Sequence, residues 1–277
     1  MKLQCAEYLL DLSTPKVMGI LNVTPDSFSD GGQFTNIDAA IAHAQQLIED
    51  GADIIDIGGE STRPGATPVP LETELQRVIP VIQALAKCGV ALSIDTYKPA
   101  VMQAAIKAGV HMVNDVFALQ QHGAIEAVQD SAVGLCLMHM QGTPQTMQLQ
   151  PQYQNVVEEV RQFLQQRVSQ LSAAGIAKQR IAIDPGFGFG KKTQHNLTLL
   201  KQLAQIRFDN LPILAGLSRK SILGQLAGGD PSQRLYASLA ASVLAVSHGA
   251  NIVRVHDVTA TVEALKVTAA VLQKDQG

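Results

Sequence analysis

Eight short apolar runs, each followed by a longer stretch of helical character, set the narrowest limit on how this chain folds. The runs are 17–22, 54–58, 91–95, 112–115, 134–138, 181–184, 213–215 and 252–255. The helical stretches are 38–50, 71–87, 99–108, 124–129, 156–174, 193–206, 233–248 and 258–273. The runs lack polar alternation, as strands covered on both faces do. Gly51, Gly89, Gly109, Gly175 and Gly249 each follow a helical stretch shortly before the next run, the place of a left-handed C-terminal cap. Pro99 stands in the first turn of the third helix, where its missing N–H costs nothing. Eight βα units in about 260 residues match the (β/α)8 TIM barrel in number and length. A doubly wound sheet is the alternative arrangement of the same alternation. No linker or low-complexity segment divides the 277 residues, so a single domain over 1–277 is expected. Residues 1–14 form an N-terminal extension in this reading, with 3–11 as a small hairpin capping the barrel bottom.

Composition excludes several classes of function. Apolar residues make up 46% and charged residues only 16%, so much of the chain must lie inside a core. A net charge of −3 gives no general attraction to nucleic acid, and 4% aromatics without Trp gives no base-stacking surface. The odd set Cys5, Cys88 and Cys136 has no C-x-x-C spacing, which points to free thiols in a reducing cytosol rather than to a metal site. Lys2 is followed by Gln4, Glu7 and Asp11, so no signal-peptide core is expected, and the weakly polar stretch 235–246 is too short to span a bilayer. A cytoplasmic protein with no membrane partner is expected.

The chemistry collects where the apolar runs end. Barrel sites are built from the C-terminal ends of several strands. Here those ends read Asn22, Asp56, Asp95, Asn114 with Asp115, His139, Asp184, Ser218-Arg219-Lys220, and Arg254 with His256. Polarity begins at the end of any strand, but Asp95, Asn114 and Asp184 close apolar runs at a depth where an unpaired carboxylate or amide is costly. Asp95, Asn114 and Asp184 suit the amino-pyrimidinone edge of a flat heterocycle, since together they donate and accept in pairs. Arg63, Lys220, Arg254 and His256 suit phosphate or carboxylate oxygens, with charge-assisted bonds worth roughly 1.5–3 kcal/mol each. One ligand with a flat polar head and an anionic tail satisfies both sets. No nucleophilic Ser or Cys stands out, and the site needs none.

Three loops add detail. The first run ends at Asn22 and feeds a hydroxyl-rich loop to Gly31-Gly32, in which Phe28 is the one large apolar side chain. The second is followed by Gly58-Gly59-Glu60-Ser61-Thr62-Arg63-Pro64-Gly65, which carries hydroxyls and an Arg between glycines; a surface turn with a solvated Arg is its plainer reading. The sixth is followed by Asp184-Pro185-Gly186-Phe187-Gly188-Phe189-Gly190-Lys191, whose glycines let the backbone pass close to a ligand while the phenylalanines wall a flat ring. This is neither a G-x-G-x-x-G loop nor a Walker loop. His43, His111, His122, His195 and His248 fall on helices or turns and read as structural or solvated, and His139 reads as a pocket wall. No H-E-x-x-H or Cys/His cluster points to zinc, whereas a hard cation such as Mg²⁺ needs few protein ligands beside phosphate oxygens, and Asn22 can serve.

Eight segments taken together resemble the dihydropteroate synthases. They are MGILNVTPDSFSDGG at 18–32, DIGGESTRPG at 56–65, SIDTYKP at 93–99, VNDV at 113–116, LMHMQG at 137–142, DPGFGFG at 184–190, SRKS at 218–221 and RVHD at 254–257. The resemblance implies condensation of 6-hydroxymethyl-7,8-dihydropterin diphosphate with 4-aminobenzoate. It implies that Asp95, Asn114, Met138, Asp184, Gly216, Lys220 and Arg254 surround the pterin. Asn22, Thr62, Arg63, Arg254 and His256 would meet the diphosphate, with Mg²⁺ near Asn22. Phe28, Thr62, Arg63, Pro64, Phe189, Lys220 and Ser221 would surround the aminobenzoate, where sulfonamides compete. Asp95, Lys220, Arg254, His256 and Arg63 are the catalytic set so implied, and a homodimer packed through the Ala/Ser-rich stretch 233–248 is expected. Phe117 departs from the polar or small residue expected after VNDV and would alter packing at the pocket rim. Two rivals remain: a pterin-binding barrel that transfers a methyl group, which has no use for a diphosphate site, and an inactive binding relative.

Overall fold

A computed structural model of the chain describes residues 1–24, 33–62 and 65–272, with the backbone alone for 33–36. Two short strands, β1 (Lys2–Cys5) and β2 (Tyr8–Asp11), pair antiparallel as a hairpin. Eight parallel strands follow: β3 (Lys16–Asn22), β4 (Ile54–Gly58), β5 (Ala91–Asp95), β6 (Met112–Asp115), β7 (Gly134–Met138), β8 (Ile181–Asp184), β9 (Leu214–Ala215) and β10 (Ile252–Val255). Their spatial order is β8-β7-β6-β5-β4-β3-β10-β9, so the first and last strands of the series are neighbours. A doubly wound sheet reverses strand order part-way; this one runs on in sequence around a ring. The remaining gap is spanned by a parallel bridge between Ile183 and Ile213, where the Ile183 N–H donates to Pro212 O at 2.9 Å. Met112 lies opposite Ser93 and Cys136 opposite Asn114, offsets that supply the stagger a closed barrel requires.

The helices are α1 (Gln33–Glu49), α2 (Leu71–Leu85), α3 (Pro99–Ala108), α4 (Ala124–Val128), α5 (Val156–Ala173), α6 (Thr193–Lys201), α7 (Ser221–Ala227), α8 (Leu235–Ser247) and α9 (Val258–Leu272). Gly51, Gly89, Gly109, Gly175 and Gly249 all take positive φ, between 85° and 106°, as the sequence leads one to expect at helix ends. Three helical stretches are corrected; the first, 38–50, begins earlier, at Gln33. The stretch 193–206 breaks after Lys201 and finishes as a 3-10 turn, Leu203–Ile206, which buries Leu203 and Ile206. The stretch 233–248 begins later as a helix, and α7 precedes it unanticipated; with seven residues around Gly224, α7 is too short to carry a helical period. Among the described residues no helix is long and apolar enough to cross a membrane, and Cys5, Cys88 and Cys136 are free.

Inside the barrel every strand contributes to one floor layer. Met18, Ile54, Ala91, Met112, Cys136, Ala182, Leu214 and Ile252 pack together with Leu3, Cys5 and Leu12 from the N-terminal segment. The hairpin therefore plugs the barrel bottom. Gly134 makes room for it: a Cβ there would lie 2.5 Å from Cys5 Sγ and 3.1 Å from Gln4 O. His111 pins the turn, since its Nδ1 accepts from the Leu92 N–H (2.9 Å) and its Nε2 must then donate to Glu7 Oε1 (3.0 Å). A second, larger apolar layer fills the space between strands and helices. Leu3→Ala should cost about 2–5 kcal/mol in urea denaturation while leaving substrate affinity at the opposite end of the barrel unchanged.

Candidate active site

Side chains along a strand alternate between faces, so the residue two positions beyond each floor residue also points inward. On that second tier the sequence changes character. Above Ile54 stands Asp56, above Ala91 stand Ser93 and then Asp95, above Met112 stands Asn114, and above Cys136 stands Met138. Above Ala182 stands Asp184, above Leu214 Gly216, and above Ile252 first Arg254 and then His256. An apolar floor thus carries a polar tier at the C-terminal mouth, which is where barrel enzymes keep their chemistry. Asp56, Asp95, Asn114 and Asp184 are all buried.

Arg254 ties this tier together. Its Nε donates to Asp56 Oδ2 at 2.5 Å and its Nη2 to Asp95 Oδ2 at 2.7 Å. Asn114 Nδ2 donates to the same Asp56 oxygen at 3.1 Å. Burial pushes the Asp95 carboxyl up to about 7 against the pull of Arg254, and Asp56, Asp115 and Glu74 push it further up. Burial opposes the charge on Arg254, but Asp56 and Asp95 outweigh it and hold the guanidinium firmly protonated. Two acids share one cation, so near neutrality one of them keeps part of a proton. Asp56 Oδ1, Ser93 Oγ and Asp95 Oδ1 are buried without a hydrogen-bond partner, leaving acceptors and a donor for something polar.

The opposite wall is built by Lys220 and the loop after β8. Lys220 Nζ donates to Phe187 O at 2.5 Å and sits 4.6 Å from the centre of the Phe189 ring. Burial lowers the amine to about 8, with Asp184 and Asp95 opposing that shift and Arg254 adding to it. Asp184 is raised by burial, tempered by Lys220 and by the Gly186 N–H that donates to its Oδ1 at 2.7 Å. Gly216 keeps space open between the two cations, since a Cβ there would lie 3.7 Å from Lys220 Nζ and 3.9 Å from Arg254 Cβ. Met138 lines the wall with Val116, Met140 and Met147, and Tyr97, Phe117 and Phe189 pack against that group. Phe117 stands edge-on to Tyr97 with ring centres 5.1 Å apart.

At the mouth, half-buried Asn22 ends β3, and a Cβ on Gly58 would lie 3.9 Å from its Oδ1. His256 Nδ1 is 3.1 Å from Ser218 Oγ, whose oxygen also accepts from the His256 N–H at 3.2 Å. Ser221 is exposed at the start of α7, next to Lys220. Thr62 is half-buried on the loop after β4. Lys98 gathers the foot of that loop: its Nζ donates to Glu60, to Glu74 Oε2 (2.5 Å) and to Val69 O (2.7 Å), while Tyr97 OH donates to Glu60 Oε1 (2.8 Å). Phe28, Arg63 and Pro64 lie outside the described residues.

Two strand-end residues do other work. Asp115 faces away from the barrel axis and accepts from the N–H groups of Phe117 and Leu119, each at 2.8 Å, shaping the turn after β6. His139 also points outward, edge-on to Phe163 of α5 with ring centres 4.9 Å apart, and is not a pocket wall. Conversely, Asp56 is a hub that the strand-end reading left without a role. Its signal was a carboxylate in the middle of the fully buried run Ile54-Ile55-Asp56-Ile57-Gly58, on the same face as Ile54.

The chain is similar to known proteins along nearly its whole length. A profile described as pterin-binding enzyme matches residues 18–256. The chain belongs to the dihydropteroate synthase family of pterin-binding enzymes. It is 52% identical over 273 residues to the dihydropteroate synthase of Escherichia coli strain K12, covering 98% of this chain and 97% of that one. Among solved structures it is similar to the Burkholderia cenocepacia dihydropteroate synthase complexed with 7,8-dihydropteroate (52% identity, TM-score 0.90, 98% and 96% of the two chains). It is likewise similar to the Yersinia pestis dihydropteroate synthase with a sulfonamide drug complex (50% identity, TM-score 0.93, 98% and 99%).

Arg254→Met should cost about 3–5 kcal/mol in urea denaturation, because it leaves Asp56 and Asp95 buried without their cation. Adding Asp56→Asn should return part of that loss, with a coupling of about 0.5–3 kcal/mol in the double-mutant cycle. Strictly additive costs would show that the carboxylates do not depend on Arg254.

Proposed function

We infer that the chain is a dihydropteroate synthase, joining 6-hydroxymethyl-7,8-dihydropterin diphosphate to 4-aminobenzoate to give 7,8-dihydropteroate and diphosphate. The observation that carries this reading is the pairing, in one barrel mouth, of a buried Asp56–Arg254–Asp95 network with the Lys220–Asp184 wall. In this reading Asp95, Asn114, Asp184 and Lys220 hold the pterin, between Met138 and the space kept by Gly216. The unpartnered oxygens of Asp56, Ser93 and Asp95 support a polar heterocycle there. Arg254 and His256 serve the diphosphate, with Asn22 and Thr62 at the mouth. Phe189, Lys220 and Ser221 serve the aminobenzoate, and the sequence motifs extend that role to Phe28, Arg63 and Pro64. Sulfonamides compete at the same place. The methyl-transfer alternative has no diphosphate to use the N–H groups of Arg254 beyond those given to Asp56 and Asp95.

The chemistry is mainly electrostatic. The bond between the pterin methylene and the diphosphate oxygen breaks, and the electron-rich dihydropterin delocalises the cation left behind. Arg254 has N–H groups beyond the two already committed, and these meet the departing charge together with His256. Asp95 opposes the positive charge that grows on the pterin. The arylamine nitrogen then attacks the methylene and loses a proton. Among the described residues no group of three or more His, Cys, Asp or Glu side chains gathers to hold an ion. The single hard oxygen of Asn22 fits Mg²⁺ held mostly by diphosphate oxygens and water, and bound there it would supply charge for the leaving group.

A homodimer through α8 and α9 belongs to the same proposal. Leu244 on α8 and Val267 and Val271 on α9 are exposed at 47%, 67% and 77%, an apolar surface that a second copy would cover.

With Mg²⁺, purified protein should release diphosphate only when both substrates are present, measured by a coupled diphosphate assay. Release that ignores 4-aminobenzoate would overturn the assignment. Calorimetry with a pterin ligand separates the two subsites. Asp184→Ala should weaken binding by about tenfold or more, since it leaves the ligand edge unpaired, while Asn22→Ala should bind pterin normally and turn over slowly.

A further inference from the structure

The loop 186–190 crosses the site without joining the sheet, so its backbone polar groups must find partners elsewhere. Side chains supply nearly all of them. Gly188 N–H donates to Asn196 Oδ1 at 2.7 Å. Gly188 O accepts from Gln148 Nε2 (2.5 Å) and Gly190 O from Tyr153 OH (2.8 Å). Phe187 O accepts from Lys220. Of the two remaining carbonyls, Gly186 O also accepts from the Phe189 N–H at 3.1 Å, and Lys191 Nζ donates to it and to Phe189 O, each at 2.9 Å.

Lys191 is therefore folded back into the loop it terminates. It is 3% exposed. Its amine also lies 2.9 Å from His139 Nδ1 and 3.3 Å from His139 O, which fastens the loop to the end of β7. Gly186, at φ 68°, has no room for a Cβ against His139 O, so loop and strand end are in direct contact. Burial pushes the amine of Lys191 well below the ordinary lysine value, and burial with Lys191 does the same to His139. A cation in so dry a place is costly unless several dipoles hold it. A water could meet the same carbonyls, but only a side chain is tethered to the segment it shapes.

Every hydrogen bond of Lys191 Nζ goes to this loop or to His139, its charge is felt by Asp184 and Lys220, and the loop meets Lys220 twice, through Phe187 O and the Phe189 ring. We propose that Lys191 is a positioning residue: its ammonium holds 186–190 in the form that sets the Lys220 amine beside the Phe187 carbonyl and over the Phe189 ring, ready for the pterin. The proposal rests on the synthase reading above.

The test compares wild type with Lys191→Met, which keeps the length of the side chain and removes its donors. Lys220 faces Asp184 from β8, Asp95 from β5 and Arg254 from β10 and also feels the charge of Lys191, and in wild type its amine sits at about 8. Losing the Lys191 charge and admitting water to Lys220 both move the alkaline limb of kcat/KM for the pterin substrate upward, toward the ordinary lysine value, so the limb reports the loop where Lys191→Met moves it further than Lys191→Gln, which loses the same charge. Calorimetry with 6-hydroxymethylpterin should show affinity lowered by about tenfold. Loss of folded protein alone would reduce the amplitude of both signals without moving the limb or the affinity. Lys191→Gln keeps two N–H donors without the charge, and it carries the same readouts where Lys191→Met does not fold. Folded Lys191→Met with an unmoved limb and unchanged affinity overturns the proposal. Failure of both variants to fold also overturns it, since Lys191 would then serve the fold and not the site. A wild type that binds no pterin, or releases diphosphate without 4-aminobenzoate, fails the synthase reading instead.

Discussion

A guanidinium at the centre of the barrel decides what the rest of the interior can contain. Asp56, Asp95 and Asp184 are all buried in one narrow tube. Three ionised carboxylates at such spacing repel strongly in a medium less polarisable than water. Arg254 takes two of them through separate N–H groups and stays charged. Lys220 opposes the third. An arginine serves the first place better than a lysine, because its planar fork reaches two acceptors in fixed directions. The residual frustration is chemically useful: Asp95 remains raised to about 7 and keeps an unpartnered oxygen. A site of this kind is prepared for a ligand that brings donors of its own.

The same alternation that builds the fold also divides the labour inside it. Five of the eight strands give a floor residue and then, two positions on, a polar side chain: Asp56, Ser93, Asn114, Asp184 and Arg254. Met18, Ile54 and Met112 exclude water below, and the hairpin residues Leu3 and Cys5 seal the end. A sealed apolar floor lowers the local dielectric under the acids, which is why burial is the leading cause of every raised carboxyl in the site. Stability at the bottom and reactivity at the top are therefore linked through the barrel axis.

Much of this was legible in the sequence, for reasons that differ residue by residue. The strands declared themselves because apolar runs covered on both faces contrast sharply with their polar ends. All eight runs lie within a residue of the observed bounds, and the run 213–215 is shortened to Leu214–Ala215 because Ile213 pairs only as an isolated bridge. Asp95, Asn114 and Asp184 were visible as ends of such runs. Asp56 was read among the strand ends but given no role, because only the inward register reveals that it faces Arg254. Asp115 and His139 misled for the converse reason: they end their runs but fall on the outward face. α7 escaped because seven residues cannot show a period, and its place is set by Ile222 and Leu223 packing against the core.

Lys191 shows most clearly why sequence patterns stop short of a site. In the sequence it is a lysine after a glycine-rich loop, where a solvated side chain is the ordinary outcome. Its burial follows from the loop's need for donors, and that need exists because positive φ at Gly186, Gly188 and Gly190 turns the chain away from any strand partner. Those glycines bring Phe187 O and Phe189 to Lys220, and in doing so leave Gly186 O and Phe189 O facing inward. One ammonium can satisfy both at once, whereas an amide or hydroxyl at the same position would have fewer donors and a shorter reach. Shape at the site and polarity beneath it are thus two consequences of one backbone path, and neither can be changed without the other.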